Sequence, residues 1–353
     1  MTRPPFDYVV GTGGLGKGIL FNFQEARTLG RNESRLAELS DTEDFCKLHI
    51  ILHYIAVFAE GTVPVYAVGM VGSDEAGVEV LRRMAGAGIH TGFVGTREDA
   101  RTLFSVCYLY PNGEGGNITA GNSASRFVSG AQIERFFGQV PAGKRGVVIA
   151  APEVPIAARA SLLKAGRRHG CFNSASLLAS EAQEFLAGDA ITDTDLLAVN
   201  QEEAAAIAGP EAGKAGAGRC YEKLQKRNRQ LILVVTKGAQ GSELFTPRGH
   251  WIFPAFKSTV CSTAGAGDSF LATLLWGMMN GLPLEPCEND GEDAVTLASA
   301  CAAMKVQSRH SINFEINRQS LCRYLEETGC GALQKAVAGF PKGTSLHSIR
   351  DSK

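Results

Sequence analysis

The chain has 353 residues, 44% of them hydrophobic, and a formal net charge of −1. That length admits one large α/β domain or two smaller ones around a sizeable core, and the near-neutral balance gives no basic field for nucleic acid or a membrane surface. The 9 cysteines include no CxxC pair and are odd in number, which suits reduced thiols better than a disulfide frame or a zinc site. With no signal-peptide pattern and no uncharged apolar run of the roughly 20 residues a membrane helix needs, the expected location is cytoplasmic.

Residues 6–10 form a short apolar strand that runs into Gly11-Thr-Gly-Gly-Leu-Gly-Lys-Gly18. Gly11, Gly13 and Gly16 fit a dinucleotide fingerprint, which would make the chain a nicotinamide oxidoreductase. Gly11, Gly16 and Lys17 fit most of a phosphate-binding loop. Neither pattern completes. Position 18 is Gly where a magnesium-binding Ser or Thr is required, and the polar stretch 28–41 stands where a second strand ending in an acid belongs. Asp41-Thr-Glu-Asp44 then predicts a helix N-terminus near Asp41, with apolar residues over 45–58. His49 and His53 share a face of that helix. The spacing suits zinc, but no third ligand is indicated, and partly buried polar residues are the simpler reading. Residues 65–68 predict a strand and 78–88 a helix, with Asp74 as an acid near its N-terminus. Residues 102–110 and 117–119 predict two strands around a turn at 111–115.

Alternation follows. Strands at 146–150, 171–173 and 196–199 are each followed by a helix, at 156–169, 181–186 and 202–208. This rhythm predicts a parallel sheet with helices on both faces, whose ligands gather beyond the carboxyl ends of the strands. After a Gly/Ala-rich connection at 209–218 comes a helix at 219–228 with a basic, solvated side. A buried strand at 231–235 leads through Thr236-Lys-Gly-Ala-Gln-Gly241 to strands at 242–245 and 251–254. Helices at 295–306 and 322–327 and a polar end past residue 339 complete the chain.

Between the last strand and those helices lies Ser262-Thr-Ala-Gly-Ala-Gly-Asp-Ser-Phe270. Apolar residues recur at helical spacing from Phe270 to Met279, so Asp268 falls in the first turn of a buried helix. Gly265, Ala266 and Gly267 lack bulk, and their amides with the positive helix end make an anion site. An acid beside an anion site suits a base that takes a proton from a hydroxyl attacking a phosphoryl group. A glycine turn with an Asp cap is the plainer alternative.

Four segments in order resemble the ribokinase (PfkB-type) family of carbohydrate kinases: Gly69-Met-Val-Gly-Ser-Asp-Glu-Ala-Gly77, Asn200-Gln-Glu-Glu203, Thr236-Lys-Gly-Ala-Gln-Gly241 and Gly265-Ala-Gly-Asp268. The resemblance spans residues 65–307. It implies a ribokinase-like α/β fold, a mostly parallel sheet with helices on both faces and a small β lid, organised as one domain over 1–353 with lid segments near 13–40 and 100–122. It implies an ATP-dependent kinase acting on a hydroxyl of a sugar or nucleoside, with Asp268 as base and Gly265, Ala266 and Gly267 around the phosphoryl group. By the same match Asn200 and Glu203 serve Mg2+, largely through water, Thr236, Gly238 and Gly241 line ATP, and Asp74 belongs to the scaffold. Asn117 and Asn122, beside the strand pair, are substrate contacts or ordinary turn residues. Gly13, Gly14 and Lys47 are the remaining substrate candidates, and a homodimer through the lid is implied.

Three departures stand out. Ser262 replaces the family's usual acid six residues before Asp268, so activation by a monovalent cation does not carry over. The early sugar motif is absent, Gly18 standing where Asn follows Gly13-Gly14, and Lys47 and His49 take its place. Ser308-Arg-His-Ser311 replaces the small residues near the adenine. A member that binds a ligand or partner without catalysis is therefore the other reading.

Overall fold

The computed structural model describes residues 6–112, 115–209, 216–286 and 292–343. The middle of the 111–115 turn, most of the 209–218 connection, Cys287 and the polar end from residue 344 lie outside the described residues.

In chain order the elements are β1 (Tyr8–Thr12), β2 (Gly16–Asn22), β3 (Glu38–Phe45), α1 (Lys47–Ala59), β4 (Val65–Gly72), α2 (Glu75–Gly86), β5 (Ile89–Arg97), β6 (Leu103–Leu109) and β7 (Gly115–Thr119). Then come α3 (Gly130–Phe137), β8 (Gly146–Ala150), α4 (Ile156–Arg168), β9 (Phe172–Ala175), α5 (Ala182–Ala187), β10 (Leu196–Asn200), α6 (Gln201–Ala208) and α7 (Gly216–Gln225). Last are β11 (Ile232–Thr236), β12 (Ser242–Thr246), β13 (Gly249–Phe253), α8 (Ala266–Met279), α9 (Ala294–Lys305), α10 (Arg318–Glu327) and α11 (Gly331–Gly339).

One sheet runs β13-β12-β11-β10-β9-β8-β1-β4-β5. Its pairs are parallel from β11 to β5, and only β12 runs against the rest, pairing antiparallel with both β11 and β13. Its central strands are apolar on both sides, because each face carries helices. Val9, Val147 and Ile149 face a core shared with α1, α8 and α9. Tyr8, Val10, Val148 and Ala150 face one shared with α3, α4 and α6. The chain leaves β1 toward β4 on one side and later returns to β8 on the other, so the strand order reverses between β1 and β8. A crevice opens at the carboxyl end of such a switch point.

A second, small sheet runs β3-β2-β6-β7, with β2 and β6 parallel and the outer pairs antiparallel. It is the lid. It also corrects two expectations. Residues 38–45 are strand, and the helix begins at Lys47. The acids that resemble a helix start are held by tertiary partners: Asp41 pairs across to Leu20 and Asp44 to Gly18, Asp41 meets His310 at 3.0 Å, and Asp44 accepts from the Cys107 thiol at 3.0 Å. Likewise Gly16 opens β2 and pairs with Leu103. A side chain there would meet the Leu103 carbonyl at 2.2 Å. The Gly11–Gly16 run is therefore a strand-to-strand connection, with no helix N-terminus to receive a pyrophosphate, and the nicotinamide reading falls.

Three further elements escape the sequence pattern. β5 sits at the sheet edge with only Ile89 buried, so it lacks the apolar run of its neighbours. α3 and α11 are short and bury three and two side chains. Among the described residues no helix is long and apolar enough to cross a membrane.

Candidate active site

The turn into α8 is shaped by Gly265, whose φ of 76° is the left-handed conformation that an L side chain resists. A Cβ at that position would stand 2.2 Å from the Ser311 carbonyl oxygen. The Ala266 amide is engaged with the Thr263 carbonyl at 3.2 Å, which leaves Gly265 and Gly267 as the better placed of the three expected donors. Gly267 is exposed, with nothing within 4 Å of where its side chain would be. Asp268 follows at once, buried to 8% exposure.

Lys47, the first residue of α1, brings the acids together. Its Nζ lies 3.7 Å from Glu203 Oε1 and 4.0 Å from Asp268 Oδ1. Burial opposes its charge, yet Asp268, Glu203 and Glu153 hold its pKa above the ordinary value. The acids are shifted too. Burial pushes the Asp268 carboxyl up, Lys47 and Lys305 pull it down, and Asp44 pushes it up again. Glu203 and Asp44 are likewise raised by burial. A knot of buried, shifted acids and amines at a sheet's switch point marks a functional cleft.

Glu153 completes the knot, and the motif reading missed it. It follows β8 between Pro152 and Pro155 with a φ of 72°. Burial first, then Asp268 and Asp44, raise its carboxyl to about 7, while Lys47 lowers it. Its Oε2 is buried without a hydrogen-bond partner among the described residues. A lone acid immediately beyond a fully apolar strand was the available signal. Gly14 makes room for it: a Cβ at Gly14 would lie 2.5 Å from that same oxygen. Gly13 is equally confined, its missing Cβ falling 2.7 Å from Ala151 and 2.9 Å from Leu48.

The other side of the cleft is built from β10 and β11. Asn200 caps α6 with its side chain accepting from the Glu203 amide at 2.8 Å, and Glu203 Oε2 accepts from the Asn200 amide at 2.8 Å. This reciprocal cap leaves Glu203 Oε1 facing Lys47 and the cleft. Among the described residues no three His, Cys, Asp or Glu side chains are arranged to hold a metal ion. A magnesium ion keeping most of its water needs few protein oxygens and fits Glu203 Oε1, which it would share with Lys47. Register places Thr236 beside Asn200, and Gly238 begins the next turn with a φ of 56°. Gly241 serves the fold, because at a φ of 87° its missing Cβ would lie 1.9 Å from the Phe253 carbonyl oxygen.

The remaining candidates separate. Asn117 is exposed in β7, and register sets it opposite Cys107, on the lid face that carries Asp44. Asn122 is exposed in the turn beyond β7. No ion pair or hydrogen bond among the described residues joins either to the Lys47 cluster. Asp74 caps α2, accepting from the Gly77 amide and from Thr102, as a scaffold acid should. His49 and His53 are buried at 1% and 6% exposure. Burial lowers them to about 3 and about 4, and they pack on Phe45 and Phe314 as neutral core residues.

An open parallel sheet with a small β lid, and a cleft at the switch point holding a helix-start carboxylate, defines a ribokinase-like fold. The ribokinase of Cryptococcus neoformans, solved in complex with ADP, aligns over 90% of this chain and 99% of its own, with a TM-score of 0.72 at 19% identity. The chain belongs to the pfkB family of carbohydrate kinases, whose sequence profile matches residues 54–317. Two relatives are an ATP-dependent ribose-1-phosphate kinase of Halopiger xanaduensis, 26% identical over 67% of this chain and 72% of that one, and a ribokinase of Arabidopsis thaliana, 24% identical over 74% and 68%.

Proposed function

We propose that the protein transfers the terminal phosphoryl group of ATP to a hydroxyl of a sugar, nucleoside or sugar phosphate, with Asp268 as the general base. The observation that carries this is the Asp268 carboxylate, buried in the first turn of α8 beside the exposed Gly267 and 4.0 Å from Lys47. Asp268 takes the acceptor's proton as the alkoxide oxygen bonds to phosphorus and the bond to ADP breaks. The Gly265 and Gly267 amides and the helix start stabilise charge on the transferring group. Lys47 keeps Asp268 ionised and offsets the negative charge that gathers when phosphate arrives. ATP lies along Thr236 and Gly238, and a nucleotide substrate is supported by the Cryptococcus ribokinase having been solved with ADP. Glu203, with Asn200 beside it, would hold magnesium largely through water, and the ion would supply charge neutralisation for the phosphates. The acceptor sits toward Gly13, Gly14, Lys47 and Glu153, under the lid face bearing Asn117. That the relatives act on ribose and ribose-1-phosphate supports a pentose-sized acceptor. Exposed Leu39, Phe104 and Ile118 on the lid provide the apolar surface for pairing of two copies.

The test is ADP release over a panel of ribose, ribose-1-phosphate, fructose and nucleosides, run beside Asp268→Asn. General-base loss lowers kcat by about 10²–10⁴-fold, while affinity for a non-hydrolysable ATP analogue stays within about threefold. Near-normal turnover in the variant defeats the assignment of the base. ATP binding with no ADP release for any acceptor favours a non-catalytic ligand-binding protein.

A further inference from the structure

Lys305 ends α9 and has no solvent exposure. A lysine at a helix end ordinarily carries its ammonium out to water along a flexible stem, and burying it needs compensation. Here the ammonium turns inward and donates to the Ser262 carbonyl at 3.2 Å. Ser262 begins the turn that ends in Asp268. The same end of α9 holds that turn a second way, since the Val306 carbonyl accepts from the Cys261 and Ser262 amides at 2.7 and 3.2 Å. The Ser262 hydroxyl, 2% exposed as a residue, accepts in turn from the Ala264 amide at 3.3 Å. Through space, the charges of Asp44, Asp268 and Asp41 favour the Lys305 ammonium. Asp41 is further bridged to His310, and Asp44 lies on the lid strand β3.

From this geometry we propose that Lys305 is a positioning residue: its ammonium is a resident cation behind the anion-binding turn, fixing residues 262–267 and balancing Asp268, Asp44 and Asp41, so that the site works without a free monovalent ion. The inference deepens the phosphoryl-transfer reading and rests on it for the ligand of the turn. Two further features agree. Burial lowers the Lys305 ammonium only to about 8, so it remains charged at neutral pH. The charge of Asp44 on the lid strand also favours the Lys305 ammonium.

The experiment uses the full chain, wild type and Lys305→Ala, in potassium chloride, choline chloride and methylammonium chloride at equal ionic strength. Melting temperature and the affinities of magnesium-AMP-PNP and of adenosine are measured in each. Wild type should hold magnesium-AMP-PNP within about twofold in all three salts. Lys305→Ala should lose about tenfold or more of that affinity, because a charged hydrogen bond to the turn is gone, with adenosine changed less than about twofold. Methylammonium, not choline, should restore both the melting temperature and most of the lost affinity. A strong potassium requirement in wild type overturns the proposal. So does equal loss of both ligands in the variant, or rescue by choline as good as by methylammonium. If Lys305→Ala does not fold in any salt, Lys305→Met, which keeps the volume, carries the same affinity comparison. If wild type binds no AMP-PNP, the ATP reading fails, and the methylammonium-dependent melting temperature alone decides the cation.

Discussion

The two sides of the cleft are built on opposite plans. On the nucleotide side, several groups find a partner within a few residues. Asn200 and Glu203 cap one helix reciprocally, Ser262 meets Ala264 and Thr263 meets Ala266, and Gly241 closes a two-strand turn. On the acceptor side the groups come from three distant segments: Gly14 after β1, Asp44 and Lys47 at the junction of β3 and α1, and Glu153 after β8. Their charges are not settled locally. Asp44 and Glu153 are raised by burial, and Glu153 Oε2 has no hydrogen-bond partner among the described residues. Buried polar groups left unsatisfied in a native fold mark places where a ligand supplies the missing partner. The nucleotide side is thus largely satisfied within the protein, and the acceptor side is poised for a polar molecule.

Three measurements would break or sharpen that contrast. The largest effect is expected on the nucleotide side. Gly265→Ala puts a Cβ 2.2 Å from the Ser311 carbonyl at a φ of 76°, combining a left-handed penalty with a backbone clash. Unfolding in denaturant should show a loss of about 3 kcal/mol or more. A loss below about 1 kcal/mol would mean the turn is not the rigid element described here.

The second concerns Glu153, whose pKa rises from 4.5 to about 7. Between those values the folded chain keeps a proton that the unfolded chain releases, so its contribution to stability declines as pH rises across the window. Gln does not titrate. Glu153→Gln should therefore gain roughly 1–3 kcal/mol relative to wild type on going from about pH 5 to about pH 8. A flat difference between the two proteins over that range contradicts a buried acid of raised pKa on the acceptor side.

The smallest effect tests the link between the sides. Lys47→Met removes the cation 4.0 Å from Asp268, so the carboxyl's pKa rises and the base stays protonated to higher pH. The acid limb of the kcat/KM profile should move up by about one pH unit, with activity near pH 6 lost first and activity near pH 8 least affected. An unmoved acid limb would show that Lys47 does not tune the base.

How much of this is legible in the chain follows from the same contrast. The β-α rhythm from residue 146, the cap at Asn200, the turn after Thr236 and the helix start at Asp268 all follow from residues close in sequence. Apolar periodicity, capping chemistry and glycine geometry act over a few positions, and they fix these elements before any distant contact forms. Residues 38–45 went the other way. Their acids read as a helix start by themselves, and pairing with β2, Cys107 and His310 made them a strand. The meeting of Lys47 with Glu203 and Asp268, the place of Glu153 and the inward turn of Lys305 depend on the strand reversal between β1 and β8 and on the lid folding over it. An ion pair carries no signature along the chain, because charge attraction depends on distance in space, and only the folded sheet sets that distance.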